Sequence, residues 1–197
     1  MAKKILLALA ALAAALLLLW AYAGGFSTPA PINRVEAGPW HIAYISHKGP
    51  YKSIGKVLDQ LERDLVAAGI EPERYGGIFY DRPEIAGNDK CRSDAFGVIS
   101  AAQAAKLKDN KSVRTRVIER RSYLSSSFPF HGMLSVIAGI TKVYPEFQKY
   151  WQANKLPPYT YRESGYENDY AIELYGPKRI FYYMTIPEQE SRGNTSG

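Results

Sequence analysis

The chain has 197 residues, 46% of them hydrophobic, and a formal net charge of +6. This length predicts one sizeable core and one folded domain. A single cysteine and three scattered histidines exclude an internal disulfide, a thiolate metal cluster and metal-ligand spacing, so we expect no metal and no cofactor. The basic residues are mostly mixed with acidic ones and accompany no nucleic-acid motif, so we also expect no nucleic-acid partner.

An apolar stretch without charged residues runs from residue 5 to residue 23, directly after Lys3 and Lys4. At about 1.5 Å per residue it would cross a hydrocarbon core of roughly 30 Å, which predicts a transmembrane anchor over residues 1–23 in contact with the lipid bilayer. Residues 21–23 resemble a cleavage site, so a signal peptide is the alternative. Because the lysines precede the segment, we expect a single-pass protein whose domain is extracytoplasmic, on the periplasmic side if the protein is bacterial.

Residues 24–37 are predicted to be a tether, because the first part of this stretch contains Gly, Ser, Thr and Pro and has little to pack. We place the folded domain at residues 38–188 and a flexible tail at residues 189–197. The densest run of positive charge, residues 106–121, is interpreted as a solvated loop and edge strand. A surface for anionic lipid or another partner is the alternative.

Two similar units follow one another within the domain. The first has a period-two strand, an amphipathic helix and two further strands, at residues 40–50, 54–69, 75–80 and 92–100. The second has the same order, with a strand, a helix and a hairpin at residues 123–130, 133–151 and 170–187. This order favours an internal duplication.

An offset of 79 residues aligns the two predicted helices and pairs Leu61 with Ile140 on their apolar sides. Each helix has a single apolar side, so each should cover one part of a sheet. We therefore predict an α+β domain in which two strand-helix-strand-strand repeats form a mainly antiparallel sheet with two helices and a cleft between the repeats. One N-terminal transmembrane helix would precede this domain.

Glu173 is the most unusual residue of the last hairpin, because its neighbours in sequence are Ile172 and Leu174. An ionised carboxylate in apolar surroundings is unfavourable unless a positive or hydrogen-bonding group meets it, and a ligand can be that group. The alternative is a solvated strand face or a structural ion pair with Lys178 or Arg179. Aligning the tyrosines that end the third element of each unit places Glu173 opposite an aliphatic residue, Ile78, which favours a role in only one unit.

Several short motifs resemble one known family: Lys-Gly-Pro-Tyr at 48–51, Ile-Phe-Tyr-Asp-Arg-Pro at 78–83 and Ile-Glu-Leu-Tyr at 172–175. With the duplicated unit they resemble the GyrI-like small-molecule-binding family, which includes the effector-binding domains of bacterial multidrug-responsive transcription activators. The N-terminal segment, residues 89–92 and the aromatic strand end at 128–130 are similar in layout to the membrane-anchored, testis-expressed ER-phagy receptor of this family. The activators' helix-turn-helix and the receptor's long disordered tail have no counterpart here, so transcriptional control and autophagy are not extended to this chain.

The resemblance implies a cleft between the repeats in which a buried glutamate meets cationic or polar aromatic ligands. Matching by motif assigns this role to Glu173 and assigns the aromatic walls to Tyr51, Phe130, Phe128 and Tyr183. General physical chemistry is consistent with this, because a desolvated carboxylate attracts cations strongly and aromatic rings add cation-π attraction of about 0.5 to 2 kcal/mol each.

Three functions follow from such a site. The first is a membrane-anchored binding module for amphipathic, cationic or aromatic small molecules. The second is a hydrolase of strained electrophilic molecules, with Glu173 as general base and Tyr183 or Tyr51 orienting water. The third is a membrane-tethered interaction or adaptor domain whose cleft or basic run binds another protein. The sequence leaves open whether the protein is an enzyme.

Overall fold

The computed structural model describes residues 2–23, 28–156 and 170–186. The predicted flexible tail at residues 189–197 lies outside them. In chain order the elements are α1 (Ala2–Ala23), β1 (Asn33–Ala37), β2 (Trp40–Lys48), a 3-10 turn (Tyr51–Ser53), α2 (Ile54–Ala67), β3 (Arg74–Phe79), α3 (Pro83–Ala86), a second 3-10 turn (Asn88–Lys90), β4 (Arg92–Val98), α4 (Ala101–Lys106), β5 (Arg114–Ile118), β6 (Arg121–Pro129), α5 (Met133–Ala153), β7 (Ala171–Tyr175) and β8 (Arg179–Thr185).

Eight strands form one antiparallel sheet in the order β1-β6-β8-β7-β3-β4-β2-β5. The first half of the domain is β2, α2, β3 and β4, and the second half is β6, α5, β7 and β8, so each half has the order strand-helix-strand-strand. The strand order is symmetric about the β3–β7 pair, which joins the two halves. The class is therefore α+β, and the two halves meet along a single seam in the middle of the sheet.

Two further strands extend the sheet at its edges. Strand β1 pairs with β6, although residues 33–37 belong to the stretch predicted to be a tether. Strand β5 pairs with β2 at the opposite edge and lies within the basic run at residues 106–121, where the sequence predicts an edge strand. The limits 38–188 for the domain stay a prediction.

The N-terminal helix α1 overturns one prediction. Within the described residues, no helix is both long enough and apolar enough to cross a membrane. The predictions of a transmembrane anchor at residues 1–23, of a bilayer partner and of a single-pass protein with an extracytoplasmic domain are therefore wrong.

The two helices of the halves lie on the same face of the sheet, which we call the helix-covered face. On α2, Leu61 and Leu65 are fully buried against this face, and on α5 the buried residues with the same spacing are Val143 and Phe147, 82 residues later. Ile140, which the offset of 79 pairs with Leu61, is 41% exposed. A shift of three residues turns a side chain by about 60° around a helix, so the offset of 79 paired Leu61 with a partly exposed residue instead of with Val143.

The opposite face, which we call the curled face, has a core of its own made of aromatic and aliphatic side chains on or next to strands. The Trp40 ring lies 5.4 Å from the Tyr183 ring and 6.1 Å from the Tyr123 ring, although β2 is not a neighbour of β8 or β6 in the sheet. The sheet therefore curls until distant strands touch, and it buries this face without a covering helix.

Candidate functional site

Glu173 lies in the middle of β7, beside the seam between the halves. Strand alternation places it on the helix-covered face, where its side chain is 3% exposed. It is directly opposite Gly77 on β3 and opposite Tyr182 on β8. Directly opposite residues in antiparallel strands have Cβ atoms about 5 Å apart, so Tyr182 is an immediate neighbour of the carboxylate.

Two tyrosine hydroxyls donate hydrogen bonds to the Glu173 carboxylate. Tyr144, from α5, donates to Oε1 at 3.0 Å, and Tyr175, two residues along β7, donates to Oε2 at 2.9 Å. Among the described residues, no lysine, arginine or histidine forms an ion pair with Glu173. Burial raises the pKa of Glu173, and the bonds from Tyr175 and Tyr144 oppose this shift. The carboxylate is therefore hydrogen-bonded but has no counter-charge in the described part of the chain.

Gly77, opposite Glu173 across the seam, has no side chain and leaves room there for side chains of the first half. A Cβ at Gly77 would lie 2.8 Å from Cζ of Phe79 and 3.3 Å from Cδ1 of Ile54. The Phe79 ring in turn packs edge-on against Tyr51, with centroids 4.9 Å apart. The first half therefore contributes apolar and aromatic groups to the neighbourhood of Glu173, and a side chain at position 77 would displace them.

Helix α5 has an exposed apolar stripe on the same side as Tyr144, which donates a hydrogen bond to Glu173. Met133, Ile137 and Ile140 are all exposed, which is unusual for large apolar side chains on one helix face. They precede Tyr144 by eleven, seven and four residues, so the helical repeat puts them on the side from which Tyr144 reaches Glu173. An amphipathic molecule that approached the carboxylate along α5 would meet apolar surface first.

One protein family accounts for most of the chain. The model of the GyrI-like small molecule binding domain matches residues 31–179. The chain belongs to this family. No curated relative matches the chain at a significant level.

Solved structures with this fold include a protein in complex with DNA and a protein bound to a small molecule. The chain is similar to EcmrR in a cryo-EM structure of an EcmrR–DNA complex, with a TM-score of 0.59, 10% identity, and coverage of 94% of this chain and 69% of that one. It is similar to the C-terminal domain of EcmrR, with a TM-score of 0.54, 10% identity, and coverage of 81% and 99%. It is also similar to SAV2435 bound to tetraphenylphosphonium, with a TM-score of 0.54, 9% identity, and coverage of 83% and 98%. At these identities the likeness shows the fold alone, and none of these comparisons shows the likeness to an ER-phagy receptor.

The GyrI-like domain brings some of the predicted site residues together. The Phe130 ring lies 6.0 Å from the ring of Tyr175, one of the two donors to Glu173. Tyr51 lies one ring further away, behind Phe79, and its hydroxyl bonds to backbone atoms of Asp81 and Arg92.

The other two predicted wall residues are placed elsewhere. Phe128 is fully buried beneath α5, in the core of the second half. Tyr183 is on the curled face with Trp40, because period-two alternation separates it from Glu173. Neither Tyr183 nor Tyr51 therefore has a hydroxyl placed to orient water for Glu173.

Sequence reasoning missed the three tyrosines that surround the carboxylate. Tyr175 had a usable signal, because it is two residues from Glu173 and so shares its face. Tyr182 required the register of the hairpin, which pairs it with Glu173. Tyr144 is 29 residues away on a helix, and no local pattern links it to Glu173.

A second buried carboxylate in the GyrI-like domain has very different partners. Asp94, on β4, is 0% exposed and lies on the curled face. Its oxygens accept hydrogen bonds from Ser46 and Tyr80 at 2.6 Å each, and the Arg116 guanidinium forms an ion pair with it at 2.9 Å. Arg116 also lies over the Tyr44 ring, 4.5 Å from its centroid. Asp94 is therefore a paired structural charge.

Proposed function

We propose that this GyrI-like domain binds lipophilic aromatic cations and that Glu173 supplies the counter-charge. The observation that carries the proposal is a buried carboxylate whose described partners are all neutral. Asp94 shows what the same chain does with a buried acid that serves structure, since there an arginine completes the pair. A cation brought by a ligand would give Glu173 the partner that Arg116 gives Asp94.

The surroundings of Glu173 suit a cation that donates few hydrogen bonds. Each carboxylate oxygen already accepts a bond from a tyrosine, so the ligand does not have to supply donors. The aromatic rings of Tyr144, Tyr175 and Tyr182 can add cation-π attraction of about 0.5 to 2 kcal/mol each. The exposed apolar residues of α5 would cover the hydrophobic part of the ligand. SAV2435, which has this fold, is bound to a cation of this kind, tetraphenylphosphonium.

The test compares tetraphenylphosphonium binding to the full chain and to Glu173→Gln by isothermal titration calorimetry. Glutamine keeps the shape and the acceptor oxygen but removes the charge, so we expect affinity to fall at least about tenfold, equivalent to about 1.4 kcal/mol. Glu146→Gln is the matched control, because it removes a partly exposed charge from α5 and should leave affinity unchanged.

Neutral triphenylphosphine oxide serves as the second control. Its binding should respond little to Glu173→Gln, because it offers no positive charge to the carboxylate. Equal affinity of wild type and Glu173→Gln for tetraphenylphosphonium would contradict the proposal. It would favour the alternative of a domain that binds another protein.

A further inference from the structure

Two buried hydroxyls near Glu173 have no hydrogen-bond partner among the described residues. They are the hydroxyl of Tyr182, a residue that is 1% exposed, and Oγ of Ser126, a residue that is 3% exposed. Tyr182 pairs with Glu173 across β7 and β8, and Ser126 pairs with Tyr182 across β8 and β6. The unpartnered hydroxyls therefore continue one row of the sheet that begins at Gly77 and Glu173.

A buried hydroxyl without a partner destabilises a fold, and most buried polar groups are satisfied. Phenylalanine at position 182 would fill the same volume without this penalty. Helix α5 also has an intrinsically unfavourable residue at the same place. A Cβ at Gly139 of α5 would lie 2.2 Å from the Tyr182 hydroxyl, so α5 keeps a glycine in its interior where alanine is intrinsically more favourable. The stability of the ligand-free domain does not explain why a hydroxyl stands there.

Tyr182 also contacts the other groups of the site. Its ring lies edge-on to Tyr144, with centroids 6.1 Å apart, and Tyr144 is a donor to Glu173. Burial raises the pKa of Tyr182, and the nearby Glu173 raises it further, so the hydroxyl keeps its proton. A protonated hydroxyl can either donate or accept a hydrogen bond.

We propose that the Tyr182 hydroxyl is a hydrogen-bond partner for the ligand of this domain. The ligand class is then an aromatic cation that also carries a hydroxyl, carbonyl or amine group, with the charge at Glu173 and the polar group at Tyr182. This inference rests on the proposed function, because it adds a second contact to the same site.

The experiment uses tetraphenylphosphonium and its 3-hydroxyphenyl and 4-hydroxyphenyl analogues, which have the same charge and nearly the same shape. Wild type should bind one of the hydroxylated analogues about 3- to 10-fold more tightly than tetraphenylphosphonium, the range of one neutral hydrogen bond. Tyr182→Phe should lose this preference, because the variant keeps the ring but has no hydroxyl. Tyr123→Phe removes a hydroxyl on the curled face, which contacts the Tyr170 hydroxyl at 3.2 Å, and should keep the preference.

Thermal denaturation of the ligand-free proteins gives an independent readout. Tyr182→Phe should have a higher Tm than wild type, because the variant no longer buries an unsatisfied hydroxyl. A lower Tm together with a retained preference would show that the hydroxyl serves the fold, and would overturn the inference.

Absence of any preference in wild type would also overturn the inference. If Glu173→Gln still weakens tetraphenylphosphonium binding in that case, only the second contact fails. If Glu173→Gln binds tetraphenylphosphonium as wild type does, the proposed function itself fails.

Discussion

The two halves of the sheet share one order of elements but differ in what they leave unpaired. In the first half, the apolar side of α2 is buried and the buried acid, Asp94, has its arginine. In the second half, α5 exposes large apolar residues such as Ile140, and the buried acid, Glu173, meets only tyrosine hydroxyls in the described part of the chain. The buried acid of the first half therefore has its counter-charge within the fold, whereas the second half combines exposed apolar surface with a buried acid whose described partners are neutral.

The difference shows how one arrangement of strands and helices can hold an acid with a counter-charge and an acid without one in the described part of the chain. Burial of a carboxylate is unfavourable in both halves, so burial alone does not distinguish them. The partner does. An arginine supplied by a neighbouring strand makes the charge permanent and stable, while neutral donors hold the carboxylate in position and leave its charge uncompensated.

The largest expected effect tests the contrast between the helices. Leu61→Asp places a charge in the core beneath α2 and should unfold the domain or cost more than about 4 kcal/mol of stability. Ile140→Asp, on the exposed stripe of α5, should stay within about 1 kcal/mol of wild type. Chemical denaturation followed by circular dichroism measures both. Similar losses in the two variants would remove the distinction between a buried α2 face and an exposed α5 face.

The second prediction breaks the built-in ion pair of the first half. Arg116→Met leaves Asp94 buried without its cation and should cost about 3 to 5 kcal/mol in the free energy of unfolding. Arg114→Met is the matched control, because the exposed Arg114 on the same strand contacts Ser46 rather than Asp94. Arg114→Met should lose much less stability than Arg116→Met. If Arg116→Met were as stable as its control, Asp94 would not depend on the pair.

The smallest effect concerns pH and the acid of the second half. Burial raises the pKa of Glu173 above its ordinary value of 4.5, so the folded state holds this proton more tightly than the unfolded state. The resulting stabilisation is complete below pH 4.5 and is lost as pH rises through the raised pKa. The loss is about 1.4 kcal/mol for each pH unit that separates the folded-state pKa from the unfolded-state pKa.

Glu173→Gln has no ionisable group at position 173, so it does not lose this stability as pH rises. The variant should therefore be more stable than wild type at neutral pH, and the difference should shrink towards acid pH. Urea denaturation at a series of pH values measures it. A difference that grows as pH falls would have the wrong sign and would mean that Glu173 has a cationic partner in the folded chain.

Much of the fold could be predicted from sequence because hydrophobic periodicity is local. Alternation located both strands of the last hairpin, and the predicted pairing of these strands, β7 with β8, is confirmed. The side of α5 that faces the sheet could not be predicted in the same way. Ile140 and Val143 are both apolar, and only packing against the strands decides which of them is buried.

The candidate site was harder to predict than the fold, because its parts come together through register and tertiary contact. Glu173 could be singled out from its apolar neighbours. Tyr182 and Tyr183 are adjacent and chemically identical, so choosing between them requires the hairpin register, and matching by motif selected the one on the curled face. Tyr144 reaches the site only because α5 crosses the second half of the sheet.

The glycine opposite Glu173 bears on how a duplicated domain of this kind can diverge. Gly77 and Glu173 form the middle pair of the five that join β3 to β7, at the local two-fold axis. Two identical halves would set a carboxylate against its own copy there, about 5 Å away, where like charges repel. Replacing one copy by glycine removes the repulsion and gives its space to the Phe79 ring. An acid on only one of the two strands therefore avoids a repulsion that a symmetric pair of acids at this axis would have to relieve by holding a proton.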